Sequence, residues 1–156
     1  MILQIVGFKN SGKTTLMMHT INKLKSLKLK VATIKHHGHT GSDIELQGQH
    51  VDHMKHFESG ADQSIIQGHE YRQTVTRINE QSLSKIIKDS VTIDYDIILV
   101  EGFKDEKYEK IIVYNSESQL QKLNHLNNVC YKIKLNEPNA YQLFDEWLIN
   151  KVTHKD

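Results

Sequence analysis

GFKNSGKTTL, residues 7–16, follows directly on the apolar run of residues 3–6. Its Gly7, Gly12, Lys13 and Thr14 satisfy the spacing G-x-x-x-x-G-K-[ST]. Each fixed position has a chemical reason. The glycines let the backbone curl so that successive N–H groups point inward at phosphate oxygens. A helix beginning near Lys13 adds the positive end of its dipole. Lys13 reaches the β- and γ-phosphates, and the Thr14 hydroxyl ligates a magnesium ion. Asn10, Ser11 and Thr15 complete the lining of the loop. The motif predicts binding of a purine nucleoside triphosphate with Mg2+. Lys9 stays open between a second phosphate contact and a solvated loop side chain.

Working outward, strand and helix patterns alternate. Residues 3–6 predict a strand, 13–27 a helix with Leu16, Met17, Ile21, Leu24 and Leu27 at helical spacing, and 30–34 a second strand. Residues 36–49 are polar and glycine-dotted, which predicts a loop, and 51–58 a short helix. Two strands, 63–67 and 70–77, turn at Gly68 as a hairpin at the sheet edge. Helices follow at 83–88, 118–126 and 140–152, and strands at 96–100, 110–114 and 129–133. Such alternation predicts a P-loop NTPase-like α/β fold, a mostly parallel sheet flanked by helices. The 156 residues fit a single nucleotide-binding domain spanning 1–156.

The apolar strand DIILV runs into Glu101-Gly102-Phe103-Lys104. In phosphate-loop proteins the strand beside the loop strand ends in a carboxylate that organises magnesium through water. Glu101 occupies that position, at the carboxyl end of a buried strand where ligands of open α/β sheets sit. Thr14 and Glu101 are therefore the expected metal residues, and Lys13 and Glu101 the expected catalytic pair. Lys104 either faces a phosphate or an acidic group, or is simply exposed.

Ten histidines are unusual for this length, and seven lie between His36 and His69. KHHGH, residues 35–39, follows the second strand, so His36 and His37 are expected to face a ligand on the carboxyl edge. His50, His53 and His56 are three apart. With Asp43, Glu45 and Asp52 nearby they form either a zinc or nickel site or a polar surface.

Composition excludes other classes. A net charge of +1 argues against a nucleic-acid binder, which must neutralise many phosphates. No stretch approaches a membrane span, and MILQIVGFKN lacks the charged start and long apolar run of a signal peptide. The one cysteine, Cys130, forms no internal disulfide and reads as a core residue, which points to the reducing cytoplasm.

Taken in order, GFKNSGKTTL, KHHGH, DHMKHFESGADQSII (residues 52–66) and LVEGFK (residues 99–104) resemble the molybdopterin-guanine dinucleotide biosynthesis protein B family. Asp52, His56, Gly60 and Ala61 match a family segment, D-S-x-R-H-x-x-A-G-A, in which His53, Lys55 and Ser59 replace the serine, the arginine and the first alanine. The resemblance implies a dimeric, GTP-binding, weakly hydrolysing adapter. Its implied partners are the guanylyltransferase that attaches GMP to molybdopterin, and molybdopterin or its guanine dinucleotide. Guanine comes from this resemblance alone, since no Asn-Lys-x-Asp motif is present.

Two other readings compete. A metallochaperone GTPase for nickel or a similar metal would use the histidines. A small-molecule kinase would use the same loop and Glu101, but Arg72 and Arg77, the only arginines, make a poor lid.

Overall fold

A computed structural model of the chain describes residues 1–38, 43–48, 50–79 and 81–154. In order the elements are β1 (Ile2–Val6), α1 (Lys13–Ser26), β2 (Val31–Lys35), α2 (Asp52–Glu58), β3 (Gln63–Gln67), β4 (Arg72–Thr76) and α3 (Leu83–Ser90). Then come β5 (Ile97–Glu101), β6 (Glu109–Val113), α4 (Glu117–Leu123), β7 (Val129–Ile133) and α5 (Ala140–Thr153). They form two compact units, Met1–Gly38 with Asp89–Asp156, and His39–Lys88.

The first unit is built on a five-stranded sheet in the order β2-β5-β1-β6-β7, with every neighbouring pair parallel. All five residues of β5 are buried, as the unbroken apolar run of a central parallel strand requires. Alternation then assigns sides. Leu3, Ile5, Leu99, Ile111 and Val113 share a core with Leu16, Met17 and Leu24 of α1 and Phe144 and Leu148 of α5. On the other side, Val6 and Ile112 pack with Leu123 and Leu126. Helix α1 ends where Lys28 turns to φ 63, letting the Leu29 N–H donate to the Leu24 carbonyl at 3.2 Å.

Because β1 lies between β5 and β6, the connection 102–108 must pass β1 on its way from one end of the sheet to the other. Two buried polar side chains hold it. The Gln4 amide of β1 donates to the carbonyls of Gly102 at 3.0 Å and Phe103 at 2.6 Å. The Lys110 Nζ of β6 donates to the carbonyls of Glu106 and Tyr108, the latter at 2.8 Å. Carbonyls removed from water need such partners, which is why an amide and an amine sit in otherwise apolar strands.

In the second unit the hairpin expected at 63–77 forms an antiparallel, two-stranded sheet of its own, β3 with β4. Met54 and Phe57 of α2 are buried, and the Ser64 hydroxyl of β3 donates to the His53 carbonyl at 2.8 Å. Arg77 donates to the Phe57 carbonyl at 2.9 Å and lies 4.2 Å over its ring. No helix among the described residues is long and apolar enough to cross a membrane.

Candidate functional site

The turn between β1 and α1 is tight for stated reasons. A Cβ on Gly7 would lie 2.3 Å from the Val113 carbonyl oxygen and 2.6 Å from the Ser11 Oγ. Asn10 and Gly12 adopt left-handed φ values of 61 and 96, and Gly12 caps α1 without a side chain. The Ser11 N–H donates to the Phe8 carbonyl at 3.2 Å, and the Asn115 amide to the Asn10 carbonyl at 3.2 Å. No acidic residue lies in the first turn of α1. Its leading N–H groups therefore keep their positive field for an outside anion. The Ser11 Oγ is buried and has no hydrogen-bond partner among the described residues. A concave turn that a methyl group would fill, together with an orphaned hydroxyl, fits a phosphate group.

Beside this turn β5 ends. The register pairs Ile5 with Glu101 on one side and Lys35 with Glu101 on the other, so Glu101 stands between the ends of β1 and β2. The Thr14 hydroxyl lies 3.1 Å from each carboxylate oxygen and donates to that group. The Lys35 Nζ donates to Glu101 Oε1 at 3.0 Å. Lys13 is half-buried, and its Nζ donates to the Phe8 carbonyl at 2.6 Å. Burial pushes the Lys13 amine below its ordinary value, the Glu101 carboxylate opposes that shift, and the Lys35 ammonium adds to it. Hydroxyl, carboxylate and ammonium thus converge at the mouth of the loop, the donor set that a hydrated divalent cation and a polyphosphate need.

The other residues singled out in the sequence lie at varying removes. Thr15 is exposed in the first turn of α1. The His36 N–H donates to the Glu101 carbonyl at 3.0 Å, and its ring stacks on Phe103 at 4.2 Å between centroids. Lys104 lines a cavity of about 470 Å³ together with Lys107, Lys110 and His125. His53 lies on the buried side of α2, whereas His56 of the same helix is exposed. His39 falls outside the described residues, and among the described ones no three His, Cys, Asp or Glu side chains gather as a metal site. Arg77 is committed to carbonyls of α2 and of the residues that follow it.

Sequence reasoning missed Lys35, Gln4 and Lys110. The reading of KHHGH went to its histidines, although the lysine is the residue that reaches Glu101. The signal for Gln4 was a polar residue inside ILQIV, which marks a strand face with something to hold.

Residues 2–133 match the family described as Molybdopterin guanine dinucleotide synthesis protein B, MobB. The chain is 33% identical over 127 residues to the probable molybdopterin-guanine dinucleotide biosynthesis adapter protein of Bacillus subtilis, covering 81% of this chain and 72% of that one. It is 32% identical over 117 residues to the molybdopterin-guanine dinucleotide biosynthesis adapter protein of Haemophilus influenzae, covering 74% and 64%. Among solved structures it resembles a MobB protein homolog from Bacillus stearothermophilus, with a TM-score of 0.76, 26% identity and 99% of each chain covered. Bacillus subtilis MobB superposes with a TM-score of 0.73 at 25% identity, again over 99% of both chains. The fold is accordingly P-loop NTPase-like. A match that runs from the first residue of β1 to the last of β7, through both the loop and the strand-end carboxylate, means that the chain belongs to the molybdopterin guanine dinucleotide synthesis protein B (MobB) family.

Proposed function

We propose that this protein is a GTP-binding adapter in the biosynthesis of molybdopterin guanine dinucleotide, a slow GTPase that assists the guanylyltransferase joining GMP to molybdopterin. The observation that carries the nucleotide site is the convergence of Thr14 and Glu101 at the mouth of the glycine-lined turn. Gly7, Asn10, Ser11, Gly12, Lys13, Thr14 and Thr15 hold the phosphates, and Thr14 and Glu101 hold Mg2+. When bound, the cation neutralises charge on the β- and γ-phosphates. Lys13 supplies the other positive charge there. The family and its relatives' names support guanine and the adapter role.

His36 and Lys104 are proposed to face the partner or an acidic group of molybdopterin. Commitment of Arg77 to its own unit supports slow hydrolysis, because it leaves that guanidinium unavailable as an arginine finger. A homodimer is supported by large apolar side chains left exposed in the second unit, Ile65 at 57%, Tyr71 at 81% and Ile78 at 64%. Exposed apolar side chains of this size mark an interaction surface, and a second copy supplies its cover. The two units are proposed to serve as one nucleotide-binding domain, in the cytoplasm.

The adapter role is tested by titrating the purified guanylyltransferase with this protein loaded with GTP, with GDP or with neither. The reading expects an affinity that depends on the nucleotide. Equal affinity in all three, or no binding, contradicts it.

A further inference from the structure

The ion pair between Lys35 and Glu101 is unequal. The carboxylate side chain is only 10% exposed and is held at a strand end by Thr14, whereas the lysine side chain is 62% exposed. One partner is fixed and the other is free to leave. Glu101 is also the carboxylate assigned above to a divalent cation. A carboxylate withdrawn from water needs a compensating positive charge. The Lys35 Nζ sits 3.0 Å from Oε1, so an ammonium already faces the carboxylate that a divalent cation would use.

We propose that Lys35 is the resident counter-ion of Glu101 in the nucleotide-free protein, and that a divalent cation enters the site only by displacing it. This rests on the reading of Glu101 as the metal-organising carboxylate. Lys35 sets the order of events. A bare cation meets a carboxylate already neutralised and is disfavoured. A cation arriving with a polyphosphate brings further oxygen ligands, and the released ammonium gains an anion to face. Lys13 is engaged in a similar way, its Nζ lying on the Phe8 carbonyl at 2.6 Å. The Lys13 and Lys35 ammonium groups are thus both held by acceptors of the protein itself. Strand pairing makes the arrangement specific, because Lys35 is the residue of β2 in register with Glu101.

The test is a titration of the nucleotide-free full-length protein with Mn2+, free ion being read by electron paramagnetic resonance. Lys35→Met is expected to bind one Mn2+ about fivefold more tightly than the unaltered protein, the scale of one partly screened charge pair. Lys35→Arg keeps the charge and is expected to bind Mn2+ as weakly as the unaltered protein. The double variant Lys35→Met, Glu101→Gln is expected to lose the gain. Equal Mn2+ affinity with and without Lys35, or a gain that survives Glu101→Gln, overturns the proposal. A parallel titration with GTP and Mg2+ separates the two claims. Intact nucleotide binding with no Mn2+ gain in Lys35→Met defeats the Lys35 proposal alone. A Mn2+ gain that depends on Glu101, with no nucleotide bound by any variant, supports it while defeating the nucleotide reading.

Discussion

The Thr14 hydroxyl lies 3.1 Å from both carboxylate oxygens of Glu101, a residue 87 positions later in the chain. Parallel pairing of β1 with β5 makes that meeting possible, since α1 starts just beyond one strand and Glu101 closes the other. Glu101→Gln retains the shape and removes the charge. It is expected to abolish the Mg2+ enhancement of GTP affinity while leaving metal-independent binding nearly unchanged. Calorimetry with and without Mg2+ measures both.

Lys13→Ala removes the ammonium at the loop and with it a charge-assisted contact to phosphate. Its expected effect is a loss of about 100-fold in nucleotide affinity. Melting temperature is the control. Among the described residues the Lys13 Nζ bonds only a loop carbonyl, so stability should change little.

Gly7→Ala acts through packing. The added methyl would meet the Val113 carbonyl at 2.3 Å, and a backbone atom in a strand cannot swing aside. Overpacking of this kind is expected to lower the melting temperature by roughly 5–10 °C. Nucleotide affinity should fall as well, because the turn must open to relieve the contact.

Cys130 gives a pH-dependent expectation. Burial pushes its thiol up from an ordinary value of 9.0 to about 11. The fold binds this proton more tightly than the unfolded chain does. The thiol's contribution to stability is therefore fully present below pH 9 and is lost as the pH rises through about 11. Alkylation by iodoacetamide should be slow at pH 8 in the folded protein, fast in denaturant, and should accelerate as the pH approaches 11.

Local signals carried most of the fold. Helical spacing placed α1, and the run DIILV placed β5 within a residue of its bounds. The position of Glu101 at the carboxyl end of a buried strand was legible because the acid closes the unbroken run DIILV. Lys35 was not. Its role depends on β2 lying against β5, and pairing between strands 66 residues apart is a tertiary fact that no local pattern carries. Gln4 was hidden for the same reason, since the carbonyls it holds belong to the connection after β5, 98 and 99 positions later in the chain. His53 shows the limit of spacing arguments. Three-residue steps drift around a helix, so the series at 50, 53 and 56 put one ring inside and left another in solvent.

The most direct test is calorimetric titration of the metal-stripped protein with GTP, GDP and ATP, each with and without Mg2+. The account predicts one site per chain, GTP bound more tightly than ATP, and an affinity for GTP that rises with Mg2+. Binding without guanine preference, or GTP binding that Mg2+ leaves unchanged, would contradict it.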